Sequence, residues 1–176
     1  VKGKIASVND KKMQGADFLR TLNVLGGTFG IGRSVFTSDT IIGLKGRFVF
    51  EAPGITILMS AHKALEEAVL TDKQNIVKTQ VGQEWINLVY RGFYFEPLRE
   101  NLEAFLLDSQ KTVTGEVTLK LSPGRVDAVA VKSKNILKSP EGSYAQSATW
   151  SEAESKGFIK LIGQSTSTWS SIHKKK

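Results

Sequence analysis

Three stretches of helical period stand back to back between residues 57 and 106, and β-type alternation flanks them on both sides. No other feature limits the fold as strongly. Ile57, Leu58, Ala61, Leu65, Ala68 and Val69 form the first apolar stripe, and Trp85, Ile86, Val89 and Phe93 mark the second. The third buries Leu98, Leu102, Phe105 and Leu106 and leaves Glu100 and Glu103 to solvent. Pro53-Gly54 punctuates ahead of the first helix, Thr71-Asp72 can cap the second, Gly92 loosens its end, and Pro97 suits the opening turn of the third.

Upstream, residues 4–8 read as a short strand ended by a turn at Asn9-Asp10. Phe18, Leu19, Leu22 and Leu25 then form a helical stripe that Gly26-Gly27 terminates. Residues 40–44 and 47–51 are β-rich runs around Lys45-Gly46, either a hairpin or one bent strand. Downstream, Val113, Val117, Leu119 and Leu121 alternate with Thr112, Thr114, Glu116, Thr118 and Lys120, as in a sheet with one wet face. Ser122-Pro123-Gly124 turns that strand toward a partner over residues 126–131. Residues 132–148 are polar and turn-rich, and Ser151 can cap a last helix through Phe158, Ile159, Leu161 and Ile162. The order is α+β rather than a strict β-α alternation: a mixed or antiparallel sheet, about three central helices and a short C-terminal helix.

The chain's 176 residues suffice for one sizeable core, and 40% apolar against 23% charged residues excludes a disordered composition. The absence of Cys removes disulfides, thiol nucleophiles, Cys-based zinc sites and iron–sulfur clusters, and fits a cytoplasmic location. No apolar run approaches the roughly 20 residues that span a bilayer, so no membrane is expected among the partners. The net charge of +7 permits anionic partners. Its distribution argues against nucleic acid: Lys2, Lys4, Lys11 and Lys12 lie at one end, Lys174, Lys175 and Lys176 at the other, with no basic run interleaved with aromatics.

The glycines of Gly26-Gly27-Thr28-Phe29-Gly30-Ile31-Gly32 follow a helix and lead toward strands. A dinucleotide loop has the opposite order, so a helix cap and tight turn is the reading here. His62 and Glu66 share a helix face at i, i+4 but lack a third ligand, which favours a packed, hydrogen-bonded histidine over a metal site. Lys45 and Arg47 flank Gly46, where either anion binding or plain solvation accounts for them. From residue chemistry alone the chain is a basic α+β domain with no self-contained catalytic site and no metal site.

Several ordered segments nevertheless resemble one family. They are Gly30-Ile31-Gly32-Arg33, then Ile42-Gly43-Leu44-Lys45-Gly46-Arg47, and Phe50-Glu51-Ala52-Pro53-Gly54-Ile55-Thr56-Ile57-Leu58. Ala61-His62, Leu70-Thr71-Asp72, Leu88-Val89-Tyr90, Ser109-Gln110, Val113-Thr114-Gly115 and Gly157-Phe158-Ile159-Lys160-Leu161 follow in order. Together they resemble the C-terminal half of argininosuccinate synthase, which shows a GIGR segment and then G-M-K-S-R-G-x-Y-E-T-P-x-G-T-I-L at the same spacing. The resemblance implies a ligase of arginine biosynthesis that joins citrulline and aspartate to argininosuccinate. The ureido oxygen of citrulline attacks the α-phosphate of ATP, releasing pyrophosphate, and the amine of aspartate displaces AMP. It further implies that residues 1–162 are the later part of the synthetase domain and 163–176 a polar, loosely ordered tail. ATP with Mg would be held mainly by an N-terminal nucleotide domain whose S-G-G-L-D-T-S loop is absent here, so this chain alone would be inactive and hold no cofactor. A homotetramer is implied as well. The opening Val1, where a Met would begin a complete protein, fits a fragment.

By the same resemblance, a Glu five residues after the GIGR arginine and the Tyr of G-x-Y-E-T-P hold citrulline. Those positions are Ser38 and Phe50 here, with Asp39, Lys45, Arg47 and Glu51 as pocket support. Serine cannot supply the charge that a carboxylate offers an ammonium, and Phe50 keeps the ring without the hydroxyl donor. Asp39 is adjacent, but neighbours on a strand face opposite sides. Three readings follow: citrulline is held differently, the substrate is an N-acylated citrulline, or the protein is an inactive relative. The competing class is a non-catalytic basic interaction or oligomerisation module that contacts RNA.

Overall fold

In the computed structural model, which describes residues 1–13, 15–138 and 150–174, the switches of apolar period become element boundaries. Two units divide the chain, Val1–Leu137 and Lys138–Lys176. In the first, β1 (Ser7–Val8) and β2 (Lys11–Lys12) form a minimal antiparallel ribbon. Asn9 and Asp10 turn it with positive φ, a conformation these two residue types tolerate. The strand expected over 4–8 is thus confined to its last two residues.

Helix α1 (Ala16–Thr28) runs through Gly26 and Gly27 instead of ending on them. Phe29 is the C-cap, and the residue after it is Gly30, at φ +65°. Its N–H donates to the Gly27 carbonyl and that of Ile31 to the Gly26 carbonyl, the two bonds of a Schellman ending. Gly26 serves packing: a Cβ there would come within 2.8 Å of both Ile57 Cδ1 and Pro53 Cβ on the neighbouring helix.

The next ribbon joins β3 (Arg33–Asp39) to β4 (Lys45–Glu51) in a continuous antiparallel register from Arg33↔Glu51 to Asp39↔Lys45. Residues 40–44, read from sequence as a strand, are the connection. Within it the Thr40 N–H donates to the Leu44 carbonyl and Gly43 adopts φ +81°. Lys45 and Gly46 lie inside β4 rather than at the bend.

Helix α2 (Pro53–Val69) is the centre of this unit. Proline at its first position gives up an N–H that would have no intrahelical partner, and Asn23 of α1 accepts the Gly54 N–H at 2.9 Å. One end of α2 packs Ile57 with Leu22 and Ile31, against Val8, Leu119, Leu121 and Val126. The other packs Leu65, Val69 and Leu70 on Val113, with Val117 and Val131 beside them.

Helix α3 (Asp72–Tyr90) begins on a capping box made by Thr71 and Gln74. Its inner face is Asn75, Lys78, Val81, Trp85, Leu88 and Val89, all half-buried. Ile86 and Phe93, expected in the stripe, are exposed. Helix α4 (Pro97–Ser109) follows, opened by Pro97 as its position suggests. Its most buried residue is Arg99, which donates to the Tyr94 carbonyl at 2.6 Å, pairs with Glu103 and lies 4.6 Å from the Tyr94 ring centroid. Leu102 and Leu106 are half-buried and Glu100 exposed, as expected, whereas Leu98 and Phe105 remain exposed and Glu103 is half-buried. A buried cation needs a carboxylate partner nearby, and Glu103, one turn along the same helix, supplies it.

Residues Gln110–Thr112 make a single 3₁₀ turn, so the strand expected from 112 begins later. β5 (Glu116–Ser122) pairs antiparallel with β6 (Arg125–Lys132). Gly124, at φ +69°, completes the turn, and its N–H reaches back to the Phe29 carbonyl at 2.7 Å. Among the described residues the sheets are three separate antiparallel ribbons, within an α+β fold.

In the second unit, α5 (Glu152–Ile162) starts on the Ser151–Glu154 capping box. Residues expected as an irregular tail form α6 (Gln164–His173). Gly163 has helical dihedrals and serves as C-cap of α5 and N-cap of α6, so the chain turns there without leaving helical geometry. Trp169 and His173, one turn apart, stack with centroids 4.4 Å apart. Of the polar stretch expected over 132–148, residues 139–148 lie outside the described residues.

Candidate functional site

The β3–β4 ribbon carries every site residue singled out from the sequence, and its register decides which of them can act together. Directly opposed residues of an antiparallel pair point to the same side, and the side alternates at each step. Ser34↔Phe50, Phe36↔Phe48 and Ser38↔Gly46 therefore make one face. Arg33↔Glu51, Val35↔Val49, Thr37↔Arg47 and Asp39↔Lys45 make the other. Ser38 and Phe50 are brought to a common face, while Asp39, Lys45, Arg47 and Glu51 all belong to the reverse side.

The two faces differ in kind. The reverse side is charged and internally paired: Lys45 reaches Asp39 at 2.7 Å and Arg33 reaches Glu51 at 2.9 Å. Both pairs are largely exposed and worth at most about 1 kcal/mol each. They nevertheless direct the Asp39 carboxylate away from Ser38, so Asp39 does not stand in for a carboxylate at position 38. The front face is uncharged. Phe36 and Phe50 meet edge to face at 5.7 Å between centroids, and Phe48 tilts against Phe50 at 6.3 Å. All three rings are about half exposed. A Cβ at position 46 would come within 2.4 Å of the Phe48 ring edge, so glycine there leaves the ring room to lie over the backbone.

Phe36 and Phe48 were not singled out from the sequence. The available signal was the parity of Ser34, Phe36 and Ser38 against Gly46, Phe48 and Phe50, which becomes legible once the bend is placed at residues 40–44 and not at Lys45-Gly46.

The glycine-rich stretch behind β3 does not fit a phosphate group. The N–H groups of Phe29, Gly30 and Ile31 are already bonded to the carbonyls of Gly26 and Gly27. Gly32, at φ +77°, has the Ala52 carbonyl where a Cβ would stand and accepts the Ala52 N–H at 3.0 Å. These glycines allow close approach of backbone to backbone.

His62 and Glu66 form the hydrogen-bonded pair that the sequence favoured, at 2.9 Å. Glu66 also accepts from Lys78 Nζ at 2.9 Å and Gln110 Nε2 at 2.7 Å. Burial pushes its carboxyl upward, but the hydrogen bonds from His62, Lys78 and Gln110 outweigh it and lower the pKa to about 2. The cluster ties α2 to α3 and to the turn after α4.

The family described as arginosuccinate synthase C-terminal domain matches residues 1–169. Argininosuccinate synthase of Xanthomonas campestris pv. campestris is 50% identical over 174 residues, which cover 99% of this chain and 44% of that protein. The Xylella fastidiosa protein of the same name is 48% identical, over 99% of this chain and 43% of its own length. That of Clostridium botulinum is 39% identical over 166 residues, 94% of this chain and 41% of its own length. The chain thus spans less than half the length of the curated relatives it matches.

Proposed function

The chain belongs to the argininosuccinate synthase family, as the part corresponding to its C-terminal domain, and from that premise we propose that it supplies one wall of the citrulline pocket in an ATP-dependent ligase. That ligase condenses citrulline with aspartate to argininosuccinate, releasing AMP and pyrophosphate. One observation carries the assignment: the ribbon register puts Ser38 and Phe50, the two positions matched to citrulline contacts, on the same exposed face. The role of that face is binding and orientation. It carries no carboxylate, imidazole or amine, so it moves no proton itself.

ATP and its Mg are assigned to a nucleotide-binding half of the ligase, in keeping with a glycine stretch here whose N–H groups are already used. The ligase is cytoplasmic and assembles as a homotetramer. The exposed apolar side chains of α3, α4, α5 and the α3–α4 loop, where Phe95 is 93% exposed, support burial against other copies. Pyrophosphate release by the full-length protein, dependent on citrulline, aspartate and ATP together, tests the assignment. Release that ignores citrulline rejects it. Salt-sensitive binding of RNA in place of turnover supports the basic-module reading instead.

A further inference from the structure

Ser38 and Phe50 share a face but are not neighbours. Ser38 stands opposite Gly46 and Phe50 opposite Ser34, four residues apart along β3 or about 13 Å of strand. The Phe36–Phe48 pair occupies the register position between them. A substrate that touches both ends therefore lies across these two rings. The Phe48 ring folds back over Gly46, which places it beside Ser38. In the matched family segment the residues at 46 and 48 are Ser and Gly, whereas this chain has Gly46 and Phe48. Three differences meet at one spot: a carboxylate is missing at 38, a side chain is missing at 46, and a phenyl ring is gained at 48.

Resting on the ligase reading above, we propose that Phe48, with Phe36 and Phe50, forms a cation–π cradle for the α-ammonium of citrulline, in place of the missing carboxylate. The rings are accessible, at 52%, 43% and 52% exposure for Phe36, Phe48 and Phe50. Among the ribbon's own residues no charged side chain shares their face, so no cation of the ribbon competes for them and no carboxylate of it supplies a counter-charge. Lys45, Arg33 and Arg47 sit on the reverse side, the first two already paired. The π face of a phenyl ring is its negative pole and attracts an ammonium that has lost part of its hydration. The Ser38 hydroxyl, beside the ring, is an acceptor for one ammonium N–H. Phe48 is then a specificity-determining residue for the substrate's free amino group.

The test uses the full-length ligase, following pyrophosphate release with citrulline, aspartate and ATP. Phe48→Leu keeps most of the volume and removes the π face. It raises KM for citrulline about two- to fivefold, the range of an exposed cation–π contact, while kcat and KM for aspartate hold. Phe48→Trp, with a stronger π face, leaves KM for citrulline at or below the wild-type value. Phe48→Gly weakens citrulline binding, and adding Ser38→Glu to it recovers the loss. Thermal unfolding of each variant separates loss of fold from loss of binding. A Phe48→Leu enzyme with wild-type KM for citrulline overturns the cradle and leaves the ligase reading standing. Faster turnover of N-acetylcitrulline than of citrulline by the wild-type enzyme also overturns it, because acylation removes the charge the rings would hold. A wild-type enzyme that releases no pyrophosphate with citrulline sinks both readings.

Discussion

Glu66 is 7% exposed, and three side chains from three parts of the chain donate to its carboxylate. Its lowered pKa makes it a source of acid sensitivity. A group depressed on folding contributes stability that is fully present above its unfolded value, roughly 4.3, and is lost as pH falls toward about 2. The unfolding free energy from urea titrations should therefore drop between pH 5 and pH 3 by an amount on the order of 1–3 kcal/mol, and Glu66→Gln should flatten that drop. Glu66→Ala at pH 7 leaves Lys78 and Gln110 without their acceptor and should cost about 2–4 kcal/mol in chemical denaturation. A variant as stable as the parent would show that water replaces the carboxylate. Arg99 makes a second such point, since its planar fork serves the Tyr94 carbonyl and Glu103 at once while its guanidinium carbon lies over the Tyr94 ring. Arg99→Lys keeps the charge but not that geometry, and a loss of about 1–2 kcal/mol is expected from thermal unfolding.

At the scale of elements, the packing of α1 on α2 separates two adjacent glycines. Gly26 has Ile57 Cδ1 and Pro53 Cβ within 2.8 Å of where a Cβ would stand, whereas Gly27 has nothing within 4 Å. Both are helical, so alanine at either gains up to about 1 kcal/mol of helix propensity. Gly27→Ala should keep that gain and raise the melting temperature. Gly26→Ala should lose it to overpacking, costing about 1–3 kcal/mol gross, and lower the melting temperature. Melting temperatures in the opposite order would mean the helices separate more readily than the contact suggests. Local chemistry announced several ends in advance: Thr71 and Ser151 cap α3 and α5, and Pro97 opens α4. It misassigned Gly26-Gly27 as the end of α1, because a glycine's use in close helix packing leaves no local trace to distinguish it from a cap. The strand read over residues 40–44 failed for a related reason. Ile41, Ile42 and Leu44 have β-type side chains, yet they form an exposed connection, and only cross-strand pairing reveals which run is strand and which is bend.

At the scale of the whole molecule, much apolar surface remains uncovered. In the second unit Phe158, Ile159, Leu161, Ile162, Trp169 and Ile172 are all more than 60% exposed. Exposed apolar area of that kind marks contact surfaces, in line with the proposed tetramer. Phe158→Asp combined with Ile162→Asp should lower the assembled mass in sedimentation while circular dichroism stays helical. An unchanged mass would remove α5 from the subunit contacts. No helix among the described residues is long and apolar enough to cross a membrane.

The amino-acid sequence by itself determined the α+β order, the caps at Thr71 and Ser151, the alternation of β5 and the family, because each rests on residue type and short spacing. Tertiary structure alone decided that β3 pairs with β4 in the register that puts Ser38 and Phe50 on one face, with Phe36 and Phe48 between them. It likewise decided that Glu66 collects donors from residues 12 and 44 positions away. The reason is register: a one-residue shift in pairing exchanges the two faces of a ribbon without changing a single local preference.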